Sequence, residues 1–309
     1  MQLALFDNLE HGRIVNVASV PQRSPFRYPG GKTWIIPHIR LWLSPLMRST
    51  VGLTPIRPSL LLEPFVGGGS VSLAAAAEHL AEHVVMVELD EDVAAVWQTI
   101  LDEKQWQWLA HKIETFDLTT ENVKAYFART NLSLQERAFK TILRNRVNRG
   151  GIIAPGAGLL KEGEDGKGLK SRWYPLTLKK RIQYIAGLRE RITFIRGDGI
   201  AFLRQYAQRP DTIFFIDPPY TFAGKKAGSR LYTHSEVNHE ELFEVVNTLQ
   251  GDFLMTYDNV EDIRQIARQY NFDMQAIPMK NTHHTEMTEL LISRNLEWLR
   301  QSIRSSHLS

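Results

Sequence analysis

The sequence has 309 residues, 43% of them apolar, with a net charge of +3 and no cysteine. That length can bury the core of one large domain or two modest ones, and the missing thiols exclude disulfide frameworks, thiolate zinc sites and cysteine nucleophiles. No run of about eighteen apolar residues offers a membrane span, and the opening MQLALFDNLEHGR has no basic flank before its short apolar run, so a cytoplasmic protein without a membrane partner is expected.

In chain order, a Pro-Gly-Gly-Lys turn (Pro29 to Lys32) precedes an apolar helical pattern through Trp34, Ile35, Ile39 and Leu43, and a proline-bearing linker runs to Pro58. From there short apolar runs alternate with amphipathic segments of helix length, the pattern of a mostly parallel sheet covered by helices. Strands are expected at Leu60–Leu62, Val84–Val87, Thr193–Ile195, Thr212–Ile216, Phe253–Thr256, Met274–Pro278 and Glu289–Ile292. Helices are expected at 70–81, 91–101, 198–207, 237–249 and 260–269, each after a strand, as βα units require.

The alternation breaks between about 104 and 191. Helical patterns at 121–130, 134–148 and 177–190 surround the loop GGIIAPGAGLLKEGEDGKGLK, which predicts a helical insert with a mobile loop. Residues 137–191 carry 14 Lys and Arg against 4 Asp and Glu, net +10 in a chain whose remainder sums to −7. Such an asymmetry places a polyanion-binding surface on this stretch.

Residues 60–70, LLLEPFVGGGS, join a strand to a helix through Gly67, Gly68 and Gly69. Glycines there let the backbone approach a ligand closely. A dinucleotide site would carry a third spaced glycine at position 72, where this chain has Ser72, so a bound pyrophosphate is disfavoured. The next strand ends in Glu88, placed to accept hydrogen bonds from ribose hydroxyls. An ordinary glycine turn beside an exposed acid would look the same.

The apolar strand Thr212–Ile216 delivers Asp217-Pro-Pro-Tyr220 to the carboxyl end of the sheet, where open α/β folds place their sites. Pro218 and Pro219 fix φ and remove two donors, leaving carbonyls free to accept. The Asp217 carboxylate and the Pro218 carbonyl can then take the two N–H bonds of an aromatic amine and free its nitrogen lone pair, which is the need of a transfer to such an amine. Tyr220 can stack on the base. The same tetrapeptide also suits a plain polyproline turn.

Taken together, the motifs resemble the Dam-type family of DNA adenine-N6 methyltransferases over most of the chain. Ser24-Pro-Phe-Arg-Tyr-Pro-Gly-Gly-Lys32 is similar to the family's N-terminal motif, Glu63-Pro-Phe-Val-Gly-Gly-Gly-Ser70 to its cofactor loop and Asp217-Pro-Pro-Tyr220 to its catalytic loop, with the basic insert between the last two. Arg196-Gly-Asp-Gly199, Asn145-Arg-Val-Asn-Arg-Gly-Gly-Ile152, Tyr257-Asp-Asn-Val260 and Glu289-Leu-Leu-Ile292 resemble further family motifs. The resemblance implies a Rossmann-like, seven-stranded, S-adenosylmethionine-dependent methyltransferase fold. Residues 1–103 and 192–309 would form the catalytic domain and 104–191 a target-recognition domain. It further implies that Tyr28 and Lys32 help hold the cofactor, that Phe65, Gly67 and Gly69 line it, that Glu88 takes its ribose and Asp198 its adenine edge. Asp217 serves cofactor and substrate alike, and Tyr220 stacks on a flipped base. The glycine-rich loop of the insert has no obvious counterpart in the best-known members, so their recognition sequence does not transfer.

For double-stranded DNA, Arg144, Asn145, Arg146, Asn148 and Arg149 are the expected contacts, Arg and Asn being the usual readers of guanine and adenine edges, although most basic residues meet phosphates. Lys225, Lys226 and Arg230 lie in a basic, glycine-containing loop after the tetrapeptide, expected to close over a flipped nucleotide. His283 and His284 lack a carboxylate cluster, and no metal is expected. Trp106 and Trp108 read as packing residues. Methylation of cytosine's exocyclic amine and a catalytically inactive nucleic-acid-binding module are the alternatives. A cognate restriction endonuclease is a functional counterpart that restriction-modification would supply, and no stable protein partner is implied.

Overall fold

The computed structural model describes residues 20–27, 31–44, 58–154, 156–161, 166–219, 237–280 and 286–306. A 3₁₀ turn, Lys32–Ile35, leads into α1 (Ile36–Trp42); then come β1 (Leu60–Glu63), α2 (Ser70–Ala77), β2 (His83–Glu88) and α3 (Glu91–Leu101). The insert supplies α4 (Gln105–Thr115), α5 (Thr120–Ala128), α6 (Leu134–Val147) and α7 (Pro175–Ala186). The chain then returns through β3 (Ile192–Arg196), α8 (Gly199–Tyr206), β4 (Thr212–Ile216), α9 (His239–Thr248), β5 (Phe253–Asp258), α10 (Glu261–Gln269), β6 (Asp273–Lys280), β7 (Glu286–Ser293) and α11 (Glu297–Ser306).

The seven strands form one sheet in the order β3-β2-β1-β4-β5-β7-β6. β1 pairs in parallel with β2 and β4, β2 with β3, and β4 with β5. β7 is antiparallel to both β5 and β6. This is the Rossmann-like, seven-stranded mixed sheet that the resemblance implied. The chain winds outward from β1 to β3 and restarts beside β1 with β4, so the connections after β1 and β4 diverge. At that switch point the carboxyl ends of the strands open a crevice.

Strand residues alternate between the two faces. Leu61, Val84, Met86, Ile213, Phe215 and Leu254 belong to one core cluster, and Leu60, Leu62, Val85, Val87, Phe214, Ile216 and Met255 to the other. The first cluster continues without a break into the insert through Leu109, Ile113, Phe139, Ile142, Leu178 and Ile182. Within the insert Phe139 meets Phe116 edge-on at 5.1 Å and Tyr126 at 4.8 Å. The 104–191 segment is thus seated on one face of the sheet.

All seven expected strands are present, each within two or three residues of its predicted ends. The 70–81 helix stops at Ala77, and His79 takes a left-handed conformation (φ +57°) where the chain turns toward β2. Sequence reasoning missed α4. Its stripe of Leu109, Ala110 and Ile113 is buried at helical spacing, but Trp106 and Trp108 two apart obscure that period. Both tryptophans pack against the first core cluster, as expected.

Candidate active site

β1 ends in a buried acid. Glu63 is 3% exposed and accepts hydrogen bonds from the Ser72 backbone N–H (2.9 Å) and the Ser72 hydroxyl, which ties the strand end to the first turn of α2. Burial pushes this carboxyl up to about 8. Ser72, which stands where a dinucleotide loop would have glycine, is therefore a structural anchor. Between the two, Gly69 adopts φ +62°, and a Cβ there would fall 2.9 Å from the Trp97 ring. The Trp97 indole N–H donates to the Gly67 carbonyl at 3.0 Å and braces the loop from beneath.

Glu88, at the end of β2, accepts from Gly67 N–H (3.0 Å) through one oxygen and from Asp90 N–H (2.9 Å) through the other. Burial raises it to about 7. The Gly197 N–H donates to the Glu88 carbonyl (3.0 Å), and the exposed Asp198 caps α8 by accepting from Ala201 N–H at 2.8 Å. A Cβ at Gly199 would lie 2.3 Å from the Pro64 carbonyl and 2.9 Å from the half-buried Phe65 ring. Only glycine lets α8 approach the β1 loop this closely. Gly67, Gly69, Phe65, Glu88 and Asp198 are thereby drawn to one end of the sheet.

Across the switch point, β4 delivers Asp217, with Pro218 buried and Pro219 half-buried behind it. The Thr256 hydroxyl donates to Asp217 Oδ1 at 2.7 Å. The Lys32 ammonium, 6% exposed, lies 3.1 Å from the same oxygen and 3.3 Å from Glu289 Oε1 on β7. Glu289 is itself buried, and burial outweighs the Lys32 charge to hold its carboxyl up at about 7. Beneath Asp217 the Tyr257 hydroxyl meets His239 Nδ1 at 3.0 Å, and burial together with the Asp217 charge pushes that phenol up.

Lys32, the one residue of the N-terminal motif expected to hold the cofactor that falls among the described residues, thus pairs with Asp217. Tyr28 and Tyr220, and the clamp residues Lys225, Lys226 and Arg230, lie outside the described residues, as do His283 and His284. Sequence reasoning overlooked Glu63, Trp97, Thr256, Tyr257 and His239 as site supports and gave Glu289 no role. A signal existed for Glu289: a carboxylate inside Glu-Leu-Leu-Ile, a run otherwise fit for a strand buried on both faces, requires a partner.

The five residues expected to meet DNA from the insert are placed differently from one another. Asn145, Arg146 and Asn148 are buried, at 0, 3 and 4% exposure. Asn145 accepts from Arg27 N–H (2.8 Å) and donates to the carbonyls of Arg27 and Gly151 (both 2.9 Å); Arg146 donates to the Pro25 carbonyl and Asn148 to that of Ile152. These three side chains point into the protein, with Arg146 Nε and Asn148 Oδ1 buried without a partner among the described residues, whereas the expectation was that they meet DNA. Half-buried Arg144 pairs with Asp92 at 3.1 Å and lies over Phe127. Of the five, Arg149 is exposed.

These bonds build a strap. Residues 24–27 are held on the insert side by Asn145, Arg146 and Arg181, whose guanidinium donates to the Ser24 carbonyl at 3.0 Å. On the other side the Ser24 hydroxyl donates to the Gly68 carbonyl (2.6 Å) and Phe26 meets Trp97 edge-on at 5.8 Å. Among the described residues no group of three His, Cys, Asp or Glu could hold a metal ion.

Residues 28–283 match the family model described as D12 class N6 adenine-specific DNA methyltransferase. No protein of curated function matches in sequence. Among solved structures the chain is similar to an rRNA methyltransferase from Streptomyces viridochromogenes, with 13% identity, 94% of this chain and 98% of that one covered and a TM-score of 0.38. It is also similar to a methyltransferase from Geobacter sulfurreducens, with 13% identity, 83% and 76% covered and a TM-score of 0.35. Likeness this low says nothing about the site.

Proposed function

We propose, on the premise that this chain belongs to the D12 class N6 adenine-specific DNA methyltransferase family and is an adenine DNA methyltransferase, that Asp217 and Pro218 grip the 6-amino group of an adenine turned out of duplex DNA. The observation that carries this reading is the placement of Asp217. It stands at the carboxyl end of β4, at the switch point, with its carboxylate fixed by Thr256 and Lys32.

The residues present fit S-adenosylmethionine. Gly67 and Gly69 turn the loop through positive φ over Trp97 at the end of β1, Glu88 lies beside that loop with its carboxylate available to a ribose, and Asp198 follows β3 where an adenine edge can be met. Phe65 offers an apolar wall, and Tyr28 and Lys32 belong to the motif that would complete the holding set. When bound, the cofactor supplies an electrophilic methyl group on a sulfonium.

The protein's contribution is orientation and electrostatics. An aromatic amine is a weak nucleophile because its lone pair is delocalised into the ring. Asp217 and the Pro218 carbonyl, accepting both N–H bonds, favour the tetrahedral nitrogen of the transition state over the planar ground state. Thr256 and Lys32 keep the carboxylate from rotating, which preserves the attack geometry. The resemblance assigns Tyr220, outside the described residues, to stacking on the base, which would offset part of an unstacking cost of a few kcal/mol.

Residues 104–191 serve as the target-recognition domain, with the duplex lying against their basic surface. With Asn145, Arg146 and Asn148 turned inward, the exposed Arg149, Lys161, Lys170 and Lys180 are its first contacts, mostly to phosphates. Isotope-labelled S-adenosylmethionine, unmethylated duplex DNA and digestion to nucleosides test the reading. Label should appear in N6-methyldeoxyadenosine; label in N4-methyldeoxycytidine would establish the cytosine alternative instead.

A further inference from the structure

Methyl transfer to a neutral amine creates a proton that must be removed. The N–C bond forms as the S–C bond breaks, and the nitrogen is left cationic with one hydrogen too many. In the proposed site that hydrogen points at Asp217. A carboxylic acid left there would face the new methylamine in the wrong protonation state for the next turnover.

The structure provides somewhere further for the proton to go. Lys32 bridges two carboxylates, 3.1 Å from Asp217 Oδ1 and 3.3 Å from Glu289 Oε1. Lys32 and Glu289 are each 6% exposed, and Glu289 Oε2 is buried without a hydrogen-bond partner among the described residues. Lys32 needs one carboxylate oxygen to be anchored; a second acid beside it, with a buried and unused oxygen, exceeds that need.

We infer that Glu289 is the terminal acceptor of the amine proton, reached from Asp217 through the Lys32 ammonium. This rests on the methyl-transfer reading above. In the step, the N6–H bond breaks and its proton passes to Asp217. Lys32 then gives a proton to Glu289 Oε1 and takes the one from Asp217. Asp217 is again a carboxylate, Lys32 again an ammonium, and Glu289 has become a neutral acid; charge and protons balance without another reactant.

Glu289 is suited to this end of the relay. The charged groups that face it are Lys32 from the N-terminal turn, Asp217 after β4 and Asp258 at the end of β5, and on β6 its register partner is the apolar Ile277. The two acids raise its affinity for a proton, Lys32 lowers it, and burial leaves the balance near neutrality, about 7. It is therefore ionised and ready above that pH and already occupied below it.

The test is the single-turnover rate of label transfer to duplex DNA from pH 5.5 to 9, for the wild type, Glu289→Gln and Glu289→Asp, with cofactor and DNA affinities measured alongside. The wild-type rate should rise through about pH 7 to a plateau. Glu289→Gln, which preserves a bond to Lys32, should lower the plateau about tenfold or more, abolish that rise and leave both affinities within about threefold. Glu289→Asp should regain a displaced rise and part of the rate. A wild type active on DNA, with Glu289→Gln sharing its full pH profile or losing rate only by losing cofactor, would overturn the relay alone; a wild type that labels no DNA would overturn the underlying function and the relay together.

Discussion

Three buried or half-buried glutamates, Glu63, Glu88 and Glu289, ring the carboxyl end of this sheet, and each is held above the ordinary carboxylate range by burial. Their tasks differ. Glu63 joins β1 to α2 through Ser72, Glu88 fixes the glycine loop through Gly67, and Glu289 shares Lys32 with Asp217. For Glu63 the consequence is thermodynamic. A carboxyl whose folded value is raised from 4.5 to about 8 binds its proton more tightly in the folded state. It therefore lends stability fully at low pH and withdraws it as pH rises through that window. Glu63→Gln should flatten the decline of the urea midpoint between pH 5 and pH 8 relative to the wild type; an identical decline in both proteins would contradict the assignment. The sequence marked Glu63 only as a member of a motif. A buried acid is not legible from its neighbours, because its depth comes from β2 and β4 closing over both sides of β1.

At the scale of elements, the strap of residues 24–27 is the least foreseeable feature. The sequence showed an N-terminal motif and, about 120 residues later, an Arg- and Asn-rich helix end, and chemistry alone suggested that the latter faces DNA. The fold instead turns α6 so that Asn145 and Arg146 grip the motif, whose Ser24 in turn holds Gly68 of the glycine loop. Asn145→Ala would leave the Arg27 N–H and the carbonyls of Arg27 and Gly151 short of partners. The expected loss is about 2–4 kcal/mol of unfolding free energy, accompanied by weaker cofactor binding because the strap no longer steadies Gly68. Full stability with unchanged cofactor affinity would show the strap to be idle. The strands, by contrast, were legible. Apolar runs such as Thr212–Ile216, buried along its whole length, carry their own signal, whereas α4 hid behind two tryptophans at strand-like spacing.

At the scale of the whole molecule, topology brings the parts together. Asp217 and the glycine loop are about 150 residues apart in sequence, yet β4 pairs with β1 in register, and the divergence of their connections opens the crevice between them. The order of motifs therefore gave the outline of the site, while the contributions of Lys32 and Glu289 emerge only once β7 is inserted between β5 and β6. The molecule also separates its tasks. In the proposed function cofactor holding falls to the ends of β1, β2 and β3, DNA docking to the exposed basic residues of the insert, and the grip on the amine to Asp217 at the end of β4. Removing that one carboxylate should then abolish chemistry without abolishing either binding event. The most direct test compares the wild type with Asp217→Ala for equilibrium binding of S-adenosylmethionine, binding of duplex DNA and single-turnover transfer of label to adenine. Transfer lost by about a hundredfold or more, with both ligands still bound, is the result predicted here; an Asp217→Ala protein that methylates adenine at the wild-type rate would contradict the placement of the reaction at this site.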